Sequence, residues 1–173
     1  PGDERIMFLM SDAFRSLDSQ RLQDWDWHAT SILYVSHGWN PALNSAQGIT
    51  GRRLVQALLH AGAHVHVLAG SRAGMEFSSA RYSLTVVQSP RVARHRIGRA
   101  WQMVRCGIPE IAGPWVAAAV SAGARALDSM PGHRFIYGRA FPGSSNIAAW
   151  HLSRATGVPF VAHFSDFWPP RNP

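Results

Sequence analysis

Along most of this chain, short β-prone apolar runs alternate with stretches whose apolar residues fall at helical spacing. Ile32-Leu33-Tyr34-Val35 stops at His37-Gly38-Trp39-Asn40-Pro41, a segment rich in chain breakers, and so predicts a first strand. After Gly48, the residues Leu54, Val55, Leu58 and Leu59 share one helix face, and Ala61-Gly62 predicts its end before Val65, Val67 and Leu68 open a second strand. Ser83 to Gln88 predicts a third strand, after which Ser89 and Pro90 supply the N-cap and first-turn proline of a helix reaching about Arg105. Trp115 to Leu127 reads as a helix, Phe135-Ile136-Tyr137 as a short strand, Asn146 to Thr156 as a helix and Val158 to Phe164 as a strand. Residues 1 to 30 keep no sustained period and are read as a leader of uncertain structure, with at most one helix around 11 to 24.

The strand–helix alternation predicts an α/β fold: a doubly wound, mostly parallel, Rossmann-like sheet with helices on both faces, spanning residues 31 to 170. In such sheets ligands sit beyond the carboxyl ends of the strands, so the segments following each strand are the places to search for chemistry. There is neither an internal repeat nor a low-complexity tract.

Composition narrows the chemistry. All 17 basic residues are arginine, which excludes a P-loop lysine, a Schiff-base lysine and a Tyr-x-x-x-Lys dehydrogenase within this chain. Cys106 is the single cysteine, so neither an internal disulfide nor a cysteine zinc cluster can form, and a reducing, cytoplasmic setting is expected. The net charge of +7 points to an anionic partner: a phosphate-bearing small molecule, an acidic lipid surface or nucleic acid. The longest apolar stretch, Ile111 to Val120, is broken by Gly113 and Pro114 and falls short of the ~18 residues of a membrane span. No basic region followed by a long apolar segment opens the chain, so no signal peptide is expected within it. The first residue is Pro1, and Arg171-Asn172-Pro173 carries no helix stop, which suggests a fragment.

Several segments could carry chemistry. The glycine-bearing loop Asn44 to Arg53, with Gly48 and Gly51, stands at the start of a helix, where free N–H groups and the dipole favour an anion; the plainer reading is a tight strand-to-helix turn. At the other end, Asp166 follows a buried strand and could bind sugar hydroxyls or assist proton transfer, or else cap a linker turn. His37 and His163 lie near strand carboxyl ends and are candidates for substrate contact. His64 and His66 share a strand face, but no third ligand lies nearby, so they are read as a surface or satisfied pair and no metal site is expected. On a helix, Arg91, Arg94, His95, Arg99 and Arg105 gather opposite Ala93, Ile97, Ala100, Trp101 and Val104. That face would suit anionic lipid or a lipid-diphosphate acceptor; a solvated arginine face on a core-packed helix is the plainer reading. No nucleic-acid module is present, so no nucleic-acid partner is expected. Trp39, Trp101, Trp115 and Trp150 are read as core or interdomain packing.

Taken in order, these segments resemble the amino-terminal domain of a GT-B glycosyltransferase of the family 4 (group 1) type. Ile32 to Leu68 is similar to that family's opening strand, glycine-rich loop, long helix and Gly-His-x-Val-x-Val-Leu strand, with Ala63 in place of the usual His. Pro109-Glu110 with Trp115, and then Ile136 to Ser145, resemble a subgroup with Pro-Asp…Trp and a Pro-x-Ser-Ser helix start. Phe164-Ser165-Asp166-Phe167-Trp168 is similar to its Phe-Arg-Asp-Pro-Trp. Gly48-Ile49-Thr50-Gly51 followed by Gly62-Ala63 also resembles the first unit of short-chain dehydrogenases, but the earlier glycine and the lysine of those enzymes are lacking.

The GT-B resemblance covers about residues 31 to 170 and implies the acceptor side of a retaining transfer from a nucleotide-diphosphate sugar to a sugar or lipid-linked acceptor, without an obligatory metal or other cofactor. It implies a donor-binding domain after Pro173, without which this chain would be inactive. By matched position, Gly48 and Gly51 would face the donor phosphates and acceptor, Arg139, Ser144 and Ser145 would line a second loop, and Asp166 is the catalytic candidate. Many relatives have a His before that aspartate or in a His-x-His loop; this chain has Ser165, and Tyr137 with Arg139, so the catalytic assignment stays open. The alternative is a stand-alone Rossmann-like nucleotide-binding or interaction module without transferase activity.

Overall fold

The computed structural model describes residues 25–40, 42, 46–70, 77–88, 113–139 and 143–164. In chain order these form a 3-10 turn (Trp27–Ala29), β1 (Thr30–Ser36), α1 (Ala46–His60), β2 (His64–Ala69), β3 (Tyr82–Val86), α2 (Trp115–Ser129), β4 (His133–Arg139), α3 (Ser144–Thr156) and β5 (Phe160–His163). The expected helices at 11 to 24 and 90 to 105, with Arg91, Arg94, Arg99 and Arg105, lie outside the described residues, as do Trp101 and Asp166.

The sheet is five-stranded and all-parallel, in the order β3-β2-β1-β4-β5, which is the Rossmann-like α/β arrangement. β1 is central and every one of its residues is buried, which is why it reads as a continuous apolar run rather than an alternating one. Its polar start is satisfied locally: Ser31 Oγ donates to the Pro131 carbonyl at 2.6 Å and Thr30 Oγ1 to that of Asp26 at 2.7 Å.

Successive β1 side chains point to opposite faces and seed two cores. Leu33 and Val35 pack with Leu68, Ile136, Trp115, Leu127 and Leu152 beneath α2 and α3. Tyr34 packs with Val55, Val65, Val67 and Trp39 beneath α1. Chain direction reverses across the sheet, since β1 leads through α1 to β2 on one side and β4 through α3 to β5 on the other. Right-handed crossovers taken in opposite directions put α1 and α3 on opposite faces. No helix among the described residues is long and apolar enough to cross a membrane.

Helix ends follow local chemistry. Gly62, at φ 100°, ends α1: its N–H bonds to the Leu59 carbonyl at 3.1 Å and that of Ala63 to Leu58 at 3.0 Å, the paired bonds of a Schellman cap. Gly157, left-handed at φ 73°, ends α3 and donates to Ser153 at 2.8 Å.

Several boundaries differ from expectation, two of them at positions that matter for the site. β5 starts at Phe160, because Pro159 brings no N–H to the ladder, although its carbonyl still accepts from Ile136 at 2.9 Å. α1 starts at Ala46, so Gly48 and Gly51 are helical rather than loop residues.

Candidate functional site

Because the crossovers diverge from the β1–β4 pair, the carboxyl ends of these strands are the switch point, the position of the ligand crevice in doubly wound sheets. Each crossover helix runs back against the strands, so the amino ends of α1 and α3 both rise at this edge, one from each face. The backbone N–H of His37, just past β1, donates to Ser145 Oγ in the first turn of α3 at 3.0 Å and ties the two halves together across the switch point.

Arg139, the last residue of β4, is 6% exposed. Its Nη1 donates to Tyr34 Oη at 3.0 Å, a bond between neighbouring strands under α1. A helical glycine ordinarily costs about 1 kcal/mol relative to alanine. At Gly51 a Cβ would overlap the Arg139 guanidinium and come within 3.2 Å of Tyr34 and Trp39, so the missing side chain is what lets α1 close over the arginine.

Tyr137, two residues before Arg139 and on the same face, stacks on Tyr34 and sets its Oη 2.6 Å from His163 Nδ1 at the end of β5. Burial raises the Tyr34 pKa, with Arg139 opposing it, and burial first and Tyr34 second push Tyr137 up to about 12. Both phenols are therefore protonated at neutral pH. His163 is held below the ordinary imidazole value by burial and then by the Arg139 charge, so it is neutral at pH 7. When the Tyr137 hydroxyl donates to Nδ1, the His163 ring keeps its proton on Nε2 and presents a neutral donor; in the other tautomer Nδ1 donates to the phenol.

Arg139 and His163 thus meet in one cluster with Gly51, while Gly48 is buried one turn earlier in α1. Ser144 and Ser145 are buried at the start of α3 on the opposite face. The His37 imidazole does not join the arginine: it stands edge-on to Trp115 at 5.1 Å, and a Cβ on Gly70 would overlap it. It stands between the ends of β1 and β2. His66 is held on both nitrogens, by Ser83 Oγ at 2.7 Å and Thr85 Oγ1 at 2.9 Å. Among the described residues, no three His, Cys, Asp or Glu side chains gather as metal ligands. Trp39 and Trp115 are core residues, whereas Trp150 is 46% exposed on the outer face of α3, with Arg154 over its ring.

Sequence reasoning passed over Tyr34 as a site residue. The signal was there in Tyr137-x-Arg139, two polar-headed residues on one face at the carboxyl end of a strand, which need partners on the neighbouring strand. Comparison with protein-family models, with curated proteins and with solved structures returns no significant match in any of the three.

Proposed function

We propose that this chain is the acceptor-side half of a GT-B glycosyltransferase of the family 4 type, acting in retaining transfer from a nucleotide-diphosphate sugar. One observation carries the reading: at the switch point between β1 and β4, Arg139 meets Tyr34 beneath α1 and Tyr137 extends the cluster to His163 at the end of β5, at the edge where a Rossmann-like sheet takes ligands. The ordered resemblance from Ile32 to Trp168 supplies the sugar chemistry.

In that reaction the bond from the anomeric carbon to the diphosphate breaks, a bond to the acceptor oxygen forms, and the acceptor hydroxyl gives up its proton. Positive charge develops on the sugar and negative charge on the departing diphosphate, so fixed donors at this edge have charge to act on. The amino ends of α1 and α3 offer such donors, and His163 offers a neutral N–H. Asp166, three residues beyond His163, is the candidate to receive the acceptor proton and lies outside the described residues. The reading also includes a cytoplasmic domain touching acidic membrane through Arg91, Arg94, Arg99 and Arg105, likewise outside them.

The test is to express the complete coding region that contains these residues and follow nucleoside diphosphate release over a panel of nucleotide sugars. Donor-dependent release with transfer to a sugar or lipid-linked acceptor is the expected result. Nucleotide binding without transfer would overturn it and leave a Rossmann-like binding module.

A further inference from the structure

We propose that the acceptor bound by this domain carries an anionic group, a phosphate ester or a carboxylate, and that the Arg139 guanidinium binds it. The word acceptor rests on the transferase reading; the anion rests on geometry. A guanidinium is a permanent cation with five N–H donors, and a buried cation is tolerated only when a counter-charge or a full set of acceptors meets it. Arg139 is 6% exposed, and Tyr34 Oη takes one of its donors. A protonated phenol offers a dipole, not a charge.

The acids among the described residues are Asp26 and Asp128. Asp26 caps the turn before β1 and Asp128 sits in the last turn of α2, before β4, so both belong to the amino edge of the sheet. A seven-residue strand separates that edge from Arg139, about 20 Å at the usual rise. Among the described residues at the carboxyl edge, the other contributors bring no negative charge: the amino ends of α1 and α3 add positive potential, and His163 is neutral. A site intended for neutral hydroxyls alone would leave this cation without a counter-charge among the described residues, whereas a phosphate or carboxylate at the switch point would meet it with paired donors.

Binding of glucose 1-phosphate, glucuronate and glucose to the 173-residue chain, measured by calorimetry at constant ionic strength, tests this. The charged probes should bind at least tenfold more tightly than glucose, and the better of the two identifies the anion as phosphate ester or carboxylate. Arg139→Met should abolish the preference and Arg139→Lys keep part of it. Should Arg139→Met fail to fold, Gly51→Ala leaves the arginine in the chain but displaces its guanidinium, and should weaken the charged probes selectively.

No difference among the three probes, with or without binding, or a preference that survives Arg139→Met, overturns the proposal. So does a preference that emerges only in Asp166→Asn, because Arg139 would then already be paired within the chain. Competition by UDP through Arg139 overturns it as well, by assigning the cation to the donor. Diphosphate release by the complete gene product with neutral acceptors alone would sink the charged acceptor and spare the transferase. Charge-selective binding with no release from any donor would sink the transferase and spare the anion site.

Discussion

Tyr34 and Tyr137 stack with ring centroids 5.3 Å apart and 14° between their planes, side by side on the two strands that flank the switch point. The shared stack sends their hydroxyls to different partners, Tyr34 to Arg139 and Tyr137 to His163. The pair therefore fixes the distance between a buried cation and a neutral imidazole. Removing one hydroxyl tests how much of that scaffold is energetic. Tyr34→Phe keeps the stack but leaves a guanidinium N–H buried without its acceptor, which typically costs about 1–3 kcal/mol. Urea denaturation should register a loss in that range; a change indistinguishable from zero would mean that other groups hold the arginine.

Gly51 makes a sign test. In an open helix, glycine to alanine stabilises by about 1 kcal/mol. Here the added methyl would displace the Arg139 guanidinium from its bond with Tyr34 and crowd Tyr34 and Trp39, all of them buried. Gly51→Ala should lower the melting temperature, and a rise would show that the cluster repacks freely.

The strands could be read from sequence because central parallel strands, covered on both faces, are dominated by apolar residues: Ile32 to Val35 is an uninterrupted run inside β1, and in β2 Val65, Val67 and Leu68 flank the half-buried His66. β4 was harder. Its core Phe135-Ile136-Tyr137 is legible, but His133 and Arg134 are exposed and Gly138-Arg139 has no strand signature, so its full extent depends on pairing with β1 and β5. The start of α1 is not legible in the sequence because glycine signals a loop by propensity; the close approach of Arg139 to Gly51 in the helix is a tertiary fact. His163 is legible as a strand-end residue, whereas Arg139, expected by resemblance in a loop, is the last residue of β4, and its link to Tyr34 requires β1 and β4 to be neighbours although β2 and β3 lie between them in the chain. The packing of His37 on Trp115 is hidden for the same reason.

His66 predicts a pH dependence of stability. Burial holds its pKa below the ordinary 6.5, so the unfolded chain takes up a proton on this ring at a higher pH than the folded one does. Its contribution is complete above 6.5 and is lost as pH falls from there through the lower folded value. Denaturation midpoints should drop between pH 7.5 and 5, and His66→Gln should reduce that drop while retaining one side-chain link to Ser83 or Thr85. An equal drop in both proteins would assign the effect to other groups.

Asp166→Ala, made in the complete gene product, should lower turnover while leaving the far-ultraviolet circular dichroism and melting temperature of the domain in place. Under the transferase reading the carboxylate receives the acceptor proton, so the loss should appear in kcat more than in KM. Unchanged kinetics would remove Asp166 from the chemistry and leave it as a turn residue.

The coupling between Arg139 and His163 can be read directly from the imidazole. Burial is the larger cause of its lowered pKa and the guanidinium charge the smaller, so the two are separable by substitution. In wild type the His163 ring proton should titrate with a midpoint below 6.5 in nuclear magnetic resonance spectra. Arg139→Met removes the cation and leaves the burial, so the midpoint should rise without regaining the free value. Tyr137→Phe should leave the Arg139 contribution in place but release the Nδ1 partner, broadening the choice of tautomer. A midpoint that ignores Arg139→Met would mean the guanidinium is neutralised by a neighbour, and that result would weaken the anion site from a direction independent of any ligand.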